Sequence, residues 1–187
     1  MTNKDVSVIV EKVKSGSTGA FEELYHSLFN SVYYVVRKQV SNHDDAMDIV
    51  QDVFLVVYQR IHTLKENEAF NSWLYRIAYN HCNNFLSRSR AQSTPLEDVE
   101  DFLFEDRESF LPEETLENKE IRSQIAQAVS ELPEEQKQAI LLFYYAGLSV
   151  REVAAAMNAT ENAVKIKLSR ARVTLKNKMT LIMKGPA

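Results

Sequence analysis

The densest chemistry in this sequence is cationic. Lys165, Lys167, Arg170, Arg172, Lys176 and Lys178 crowd one stretch, opposite an apolar series of Val164, Leu168, Ala171, Leu175 and Met179 at helical spacing. Ammonium and guanidinium groups arrayed in this way suit phosphates and the acceptor edges of bases. Lys165, Ser169, Arg172 and Lys176 share one face and are candidates for contact with duplex DNA. Ahead of them Ser149 precedes Glu152 by three residues, a capping box that fixes a helix start over Leu148–Met157. Asn158 can take the left-handed turn conformation and Thr160 can cap the next helix. A capped helix, a tight turn and a basic helix together make the helix-turn-helix layout that docks in a major groove, and Arg151 in the first helix is placed to meet a phosphate.

Two other groups carry recognition chemistry. Asp48, Asp52, Leu55 and Gln59 fall together on the outer side of an apolar stripe, and a large apolar side chain among carboxylates suits a protein-binding face. Tyr75, Arg76 and Tyr79 fall away from the Leu74, Ala78 and Cys82 stripe, beside Trp73, Asn80, Asn84 and Arg88. Exposed rings next to Arg and Asn suit unpaired bases. Groups for covalent chemistry are lacking. No Ser/His/Asp grouping, paired catalytic carboxylates or phosphate-cradling glycine loop occurs, and His26, His43, His62 and His81 are scattered without metal-ligand spacing. No cofactor, metal or enzymatic activity is expected. Cys82 is the only cysteine, which excludes an internal disulfide; it reads as a core residue, with redox sensing the alternative.

The elements that must position these groups all read as helices, and no segment shows sustained strand alternation. Val6, Ile9, Val10 and Val13 form a stripe that stops at Gly16. Phe21, Leu24, Tyr25, Leu28, Phe29, Val32 and Val36 mark a longer helix. A third starts at His43-Asp44-Asp45, where the helix dipole favours negative charge, and buries Ala46, Ile49, Val50, Val53, Val57 and Ile61. A polar loop, Lys65 to Ala69, precedes a fourth helix from about Asn71 to Arg88 that buries Leu74, Ile77, Ala78, Cys82 and Phe85. Leu116, Ile121, Ile125 and Val129 begin a second helical unit. Pro133 suits the first turn of a further helix whose apolar side is Ile140, Leu141, Phe143 and Tyr144.

The net charge of −4 is unevenly spread. Residues 1–90 carry ten basic and ten acidic side chains, residues 91–118 one and ten, and residues 119–187 eleven and six, for net charges of 0, −9 and +5. The expected fold is therefore all-α. It comprises a helical domain over 1–90, an acidic flexible linker over 91–118 that also holds Pro95 and Pro112, and a helix-turn-helix domain over 119–187. The acidic connector could compete with DNA for the basic helix. No apolar run approaches the roughly 20 residues of a membrane span, and the N-terminus lacks a signal-peptide pattern, so no membrane insertion and a cytoplasmic location are expected.

The segments Ala20–Tyr25, Asp48–Phe54, Phe70–Ala78 and Leu132-Pro133-Glu134-Glu135 through Arg172, in this order, resemble the signature stretches of bacterial RNA polymerase sigma factors, in particular the extracytoplasmic-function branch of the sigma-70 family. The resemblance covers nearly the whole chain. It implies a non-enzymatic subunit that directs core RNA polymerase to promoter DNA and opens the strands, commonly held in check by an anti-sigma protein. It also implies polymerase contacts at Asp48, Gln51, Asp52, Phe54, Leu55 and Gln59. Minus-ten recognition and melting would fall to Asn67, Glu68, Trp73, Tyr75, Arg76, Tyr79, Asn80, Asn84 and Arg88. Minus-thirty-five recognition would fall to Arg151, Thr160, Asn162, Lys165, Lys167, Ser169, Arg170, Arg172 and Lys176.

The chain departs from the family pattern at Asn84, where an acidic residue is common, and at Phe85 and Ser87, which replace basic residues. In the recognition helix Glu161 would repel a nearby phosphate and Ile166 replaces a small residue. A conventional helix-turn-helix regulator with an N-terminal sensing domain fits the C-terminal end equally well, but it gives Asp48–Leu55 and the Trp73 segment no task. Co-purification with core polymerase separates the two readings.

Overall fold

The computed structural model describes residues 3–92 and 124–184, with side chains placed for 4–88 and 124–180. Every regular element in them is helical: α1 Asn3–Lys14, α2 Thr18–Arg37, α3 His43–Arg60, α4 Phe70–Gln92, α5 over residues 124–130, α6 Glu134–Ile140, α7 Val150–Ala156 and α8 Glu161–Lys184. The expected connector, residues 91–118, lies outside the described residues except for its first two, which continue α4. Leu116 and Ile121 lie outside them as well.

Local chemistry sets the helix boundaries. Gly16 follows α1 at φ +95°, a left-handed conformation that costs glycine little, and Ser17 then caps α2 by accepting from the Ala20 N–H at 3.3 Å. Asn42 caps α3, its side-chain oxygen accepting from the N–H groups of Asp44 (2.8 Å) and Asp45 (3.1 Å). Between α3 and α4 the chain makes two 3-10 turns, Ile61–Thr63 and Asn67–Ala69. Ser149 and Glu152 close a reciprocal capping box at α7, and Asn158, at φ +50°, makes the left-handed turn between α7 and α8.

The stripes expected of α1 and α3 are buried, Val10, Val50, Val53, Val57 and Ile61 completely. Each such side chain contributes about 1.5–3 kcal/mol of burial, and together they fix which sides of α1 and α3 face outward. On α4, Leu74, Ala78 and Cys82 are buried, while Ile77 and Phe85 are only half-buried. The largest departure follows α6. Leu141–Tyr145 form a π turn, with the Ala146 N–H donating to the Leu141 carbonyl at 3.0 Å. The wider turn brings Leu142 inward beside Ile140 and Leu141 and leaves Tyr144 55 % exposed, so the regular 3.6-residue stripe expected here breaks at Tyr144.

The two helical groups touch. α7 packs along α4, and Tyr34 of α2 meets Tyr145 with ring centroids 4.6 Å apart. Gln138, 1 % exposed, donates its amide to Gln39 Oε1 (2.9 Å), Asn83 Oδ1 (3.3 Å) and Glu134 Oε1 (3.2 Å). No helix among the described residues is long and apolar enough to cross a membrane.

Candidate nucleic-acid and partner interface

The inward stripe of α3 leaves a continuous outer face. Asp48, Gln51, Asp52 and Gln59 are exposed on it, and Leu55 is 54 % exposed among them. Tyr58, 55 % exposed, adds a second large apolar surface, its ring edge-on to Phe21 at 5.0 Å. Tyr58 is absent from the residues that the sequence marks on this face, although its position three residues after Leu55 puts it on the neighbouring strip. Phe54 does not belong to this face. It is 3 % exposed and packs edge-on against Tyr25 at 4.8 Å, because one residue's step around the helix carries it from the outer face into the core. As a partner contact it is corrected to a core residue.

In α4 the surface groups form a ladder: Arg76, Asn80, Asn84 and Arg88 recur every fourth residue and are all exposed. Trp73 and Tyr79 are half-buried, Trp73 packing against Phe70 at 5.9 Å, so each ring keeps some accessible surface. Tyr75 is not available for stacking. It is 2 % exposed, its hydroxyl sits 2.7 Å from Ser31 Oγ, and burial pushes its pKa up to about 12. The expectation that it stands away from the stripe fails because α2 crosses α4 on that side and covers it. Glu68 is exposed in the loop before α4, whereas Asn67 is half-buried and held by α1. Cys82 is fully buried; burial first, and then the Glu134 charge, push its thiol up to about 12, which suits packing and not redox sensing.

On the helix-turn-helix, Arg151, Asn162, Lys165, Ser169, Arg170 and Lys176 are exposed. Thr160 is committed to capping, its Oγ1 accepting from the Ala163 N–H at 3.2 Å. Two of the expected cations are engaged within the domain. Lys167 is half-buried with its ammonium 3.0 Å from Glu135, and Arg172 donates from Nε to the Tyr144 hydroxyl at 2.9 Å while lying 5.8 Å from the Phe143 and Tyr144 ring centres. Ile166 and Val173, 43 % and 58 % exposed, put apolar surface on the same helix. A cavity of about 550 Å³ opens between the start of α6 and α8, lined by Pro133, Gln136, Ile166, Lys167 and Arg170 among others. Among the described residues no group of three His, Cys, Asp or Glu side chains could hold a metal ion.

Two family models match the chain: Sigma-70 region 2 over residues 24–92, which ends where α4 ends, and Sigma-70 region 4 over residues 122–175, which takes in α5 and ends at Leu175 within α8. The ECF RNA polymerase sigma-E factor of Escherichia coli K12 is 32 % identical over 178 residues, covering 92 % of this chain and 93 % of that one. Its Haemophilus influenzae counterpart is 31 % identical over 185 residues, covering 94 % and 95 %. The fold is shared with the sigma factor RpoE of Bartonella quintana, solved in complex with the anti-sigma factor NepR, at a TM-score of 0.68 and 20 % identity over 86 % of this chain and 97 % of that one. An exposed acidic and apolar face on α3, a polar ladder on α4 and a capped helix-turn-helix thus occur in the frame of regions 2 and 4, and the chain belongs to the ECF sigma factors, which direct core RNA polymerase to promoters.

Proposed function

We propose that three surfaces divide the work of promoter-specific initiation. The outer face of α3, with Asp48, Gln51, Asp52, Leu55 and Gln59 joined by Tyr58, docks on the polymerase clamp. The loop before α4 and the Arg76–Asn80–Asn84–Arg88 ladder, with Trp73 and Tyr79, read and open the minus-ten element. Arg151 and the exposed side of α8, with Asn162, Lys165, Ser169, Arg170 and Lys176, read the minus-thirty-five element as duplex. Opening a base step costs a few kcal/mol, offset by stacking of about 1–3 kcal/mol per base on the two accessible rings and by hydrogen bonds to the base edge. The chain acts without catalytic chemistry of its own, in the cytoplasm where polymerase and promoter are, and is restrained by an anti-sigma protein as the Bartonella protein is bound by NepR.

The observation that carries this reading is the exposure of Leu55 and Tyr58 amid carboxylates, a surface for which a free-standing DNA-binding regulator has no use. Asp52→Arg is expected to abolish stoichiometric co-purification with core polymerase while leaving the thermal midpoint within a few degrees, since exposed substitutions change stability by only about 0.5 kcal/mol. Normal holoenzyme assembly by this variant would contradict the assignment.

A further inference from the structure

The segment between α3 and α4 has little of its own to hold it. Lys65, Glu66 and Glu68 are exposed, and its backbone bonds are short-range ones, among them Leu64 N–H to Ile61 O (3.2 Å), Ala69 N–H to Glu66 O (3.0 Å) and Phe70 N–H to Asn67 O. The missing constraint comes from α1. The Lys14 ammonium, at the last residue of α1, donates to the Leu64 carbonyl at 2.6 Å and to Asn67 Oδ1. The Asn67 Nδ2 in turn donates to Glu11 Oε2, one turn earlier on the same helix. Both ends of the Asn67 amide are therefore taken, its oxygen by a cation and its nitrogen by a carboxylate. An amide held at both ends has one fixed orientation, with one acceptor and one donor position still open. α1 cannot yield, because Val10 and Val13 anchor it in the core.

We infer that Lys14 and Glu11 are positioning residues for promoter reading, and that Asn67 is the keystone through which they set the loop, while its neighbours Lys65, Glu66 and Glu68 face the DNA. The inference rests on the loop's reading of the minus-ten element proposed above. It assigns to the first helix, which lies outside the Sigma-70 region 2 match over 24–92, a share in sequence discrimination. The brace is charge-balanced and polar, so its loss frees the loop without opening the core.

The test uses full-length protein assembled with core polymerase and run-off transcription over a promoter library randomised across the minus-ten element. A wrong base pair at a read position normally costs roughly tenfold or more in affinity. Lys14→Met keeps the aliphatic stem and removes the donors. It is expected to cut that discrimination to about twofold at the loop-facing base, with core-polymerase affinity and total transcription from the pooled library unchanged. Lys14→Arg is expected to restore most of it, and Glu11→Gln to weaken it less than Lys14→Met does. An unchanged sequence profile for Lys14→Met, with or without a lower thermal midpoint, would overturn the brace. A parallel Glu66→Ala, Glu68→Ala variant separates the two levels. If that loop variant also leaves the profile unchanged, the loop's minus-ten reading is what fails; if it alone broadens the profile, the reading stands and the brace falls.

Discussion

Tyr75 and Phe54 show how one side chain changes its task with a single step around a helix. Both lie beside exposed groups in sequence, both are aromatic, and both are sealed in the core at 2 % and 3 % exposure. The chain's stripes reveal which face of a helix is apolar, but not which second helix will lie across a flank; α2 covering Tyr75 is a tertiary fact that periodicity does not contain. Cys82, in contrast, sits at the centre of its stripe, and its burial is legible from spacing alone. Tyr75 and Cys82 share a consequence for stability. Their folded pKa values of about 12 exceed the ordinary 10.0 and 9.0, so each prefers its neutral form when folded. That preference is fully present below the ordinary value and is lost as pH rises toward the folded one. Stability is expected to fall steeply between about pH 9 and 12, and Tyr75→Phe combined with Cys82→Ala to flatten that slope in denaturant titrations. A wild-type slope in the double variant would place the alkaline sensitivity elsewhere.

At the scale of the element, the helix-turn-helix was the most legible part, because its punctuation is local. The Ser149–Glu152 box, the left-handed Asn158 and the Thr160 cap depend on residues within a few positions of one another. The π turn was not legible, since Leu141–Tyr145 reads as an ordinary apolar stretch until helix packing selects the wider turn. That turn matters to the basic helix: it exposes Tyr144, and Tyr144 takes Arg172. The cations of α8 are therefore not equivalent. Arg170→Ala is expected to lower the salt dependence of duplex binding by about one unit of log–log slope, as loss of one phosphate contact does. Arg172→Ala is expected to leave the slope nearly unchanged and to lower the thermal midpoint instead, through loss of the Tyr144 bond and the ring contacts. Equal slope changes in the two variants would show that Arg172 leaves its aromatic seat to reach DNA.

At the scale of the whole molecule, the chain joins groups that its sequence keeps apart. Its charge is partitioned into a neutral block, an acidic block and a basic block, a partition that suggests two helical domains joined by a connector. The folded chain brings α7 against α4 and buries Gln138 at the junction, where its amide bridges Gln39 and Asn83 of one group and Glu134 of the other. Contacts between residues so distant in sequence carry no local signature, and a buried polar bridge leaves no hydrophobic stripe to announce it. The same three blocks frame the proposed function, which puts a polymerase face and a strand-opening helix on one side and a duplex reader on the other. A regulator that merely binds duplex DNA needs one sequence block; a chain with two grips held by polymerase needs two. The most direct measurement is run-off transcription with core polymerase and this protein over a fully randomised promoter library. Initiation is expected from a restricted set of templates sharing two separated sequence blocks, the downstream one lying within the melted region. Initiation no greater than that of core polymerase alone, or selection of a single block, would contradict it.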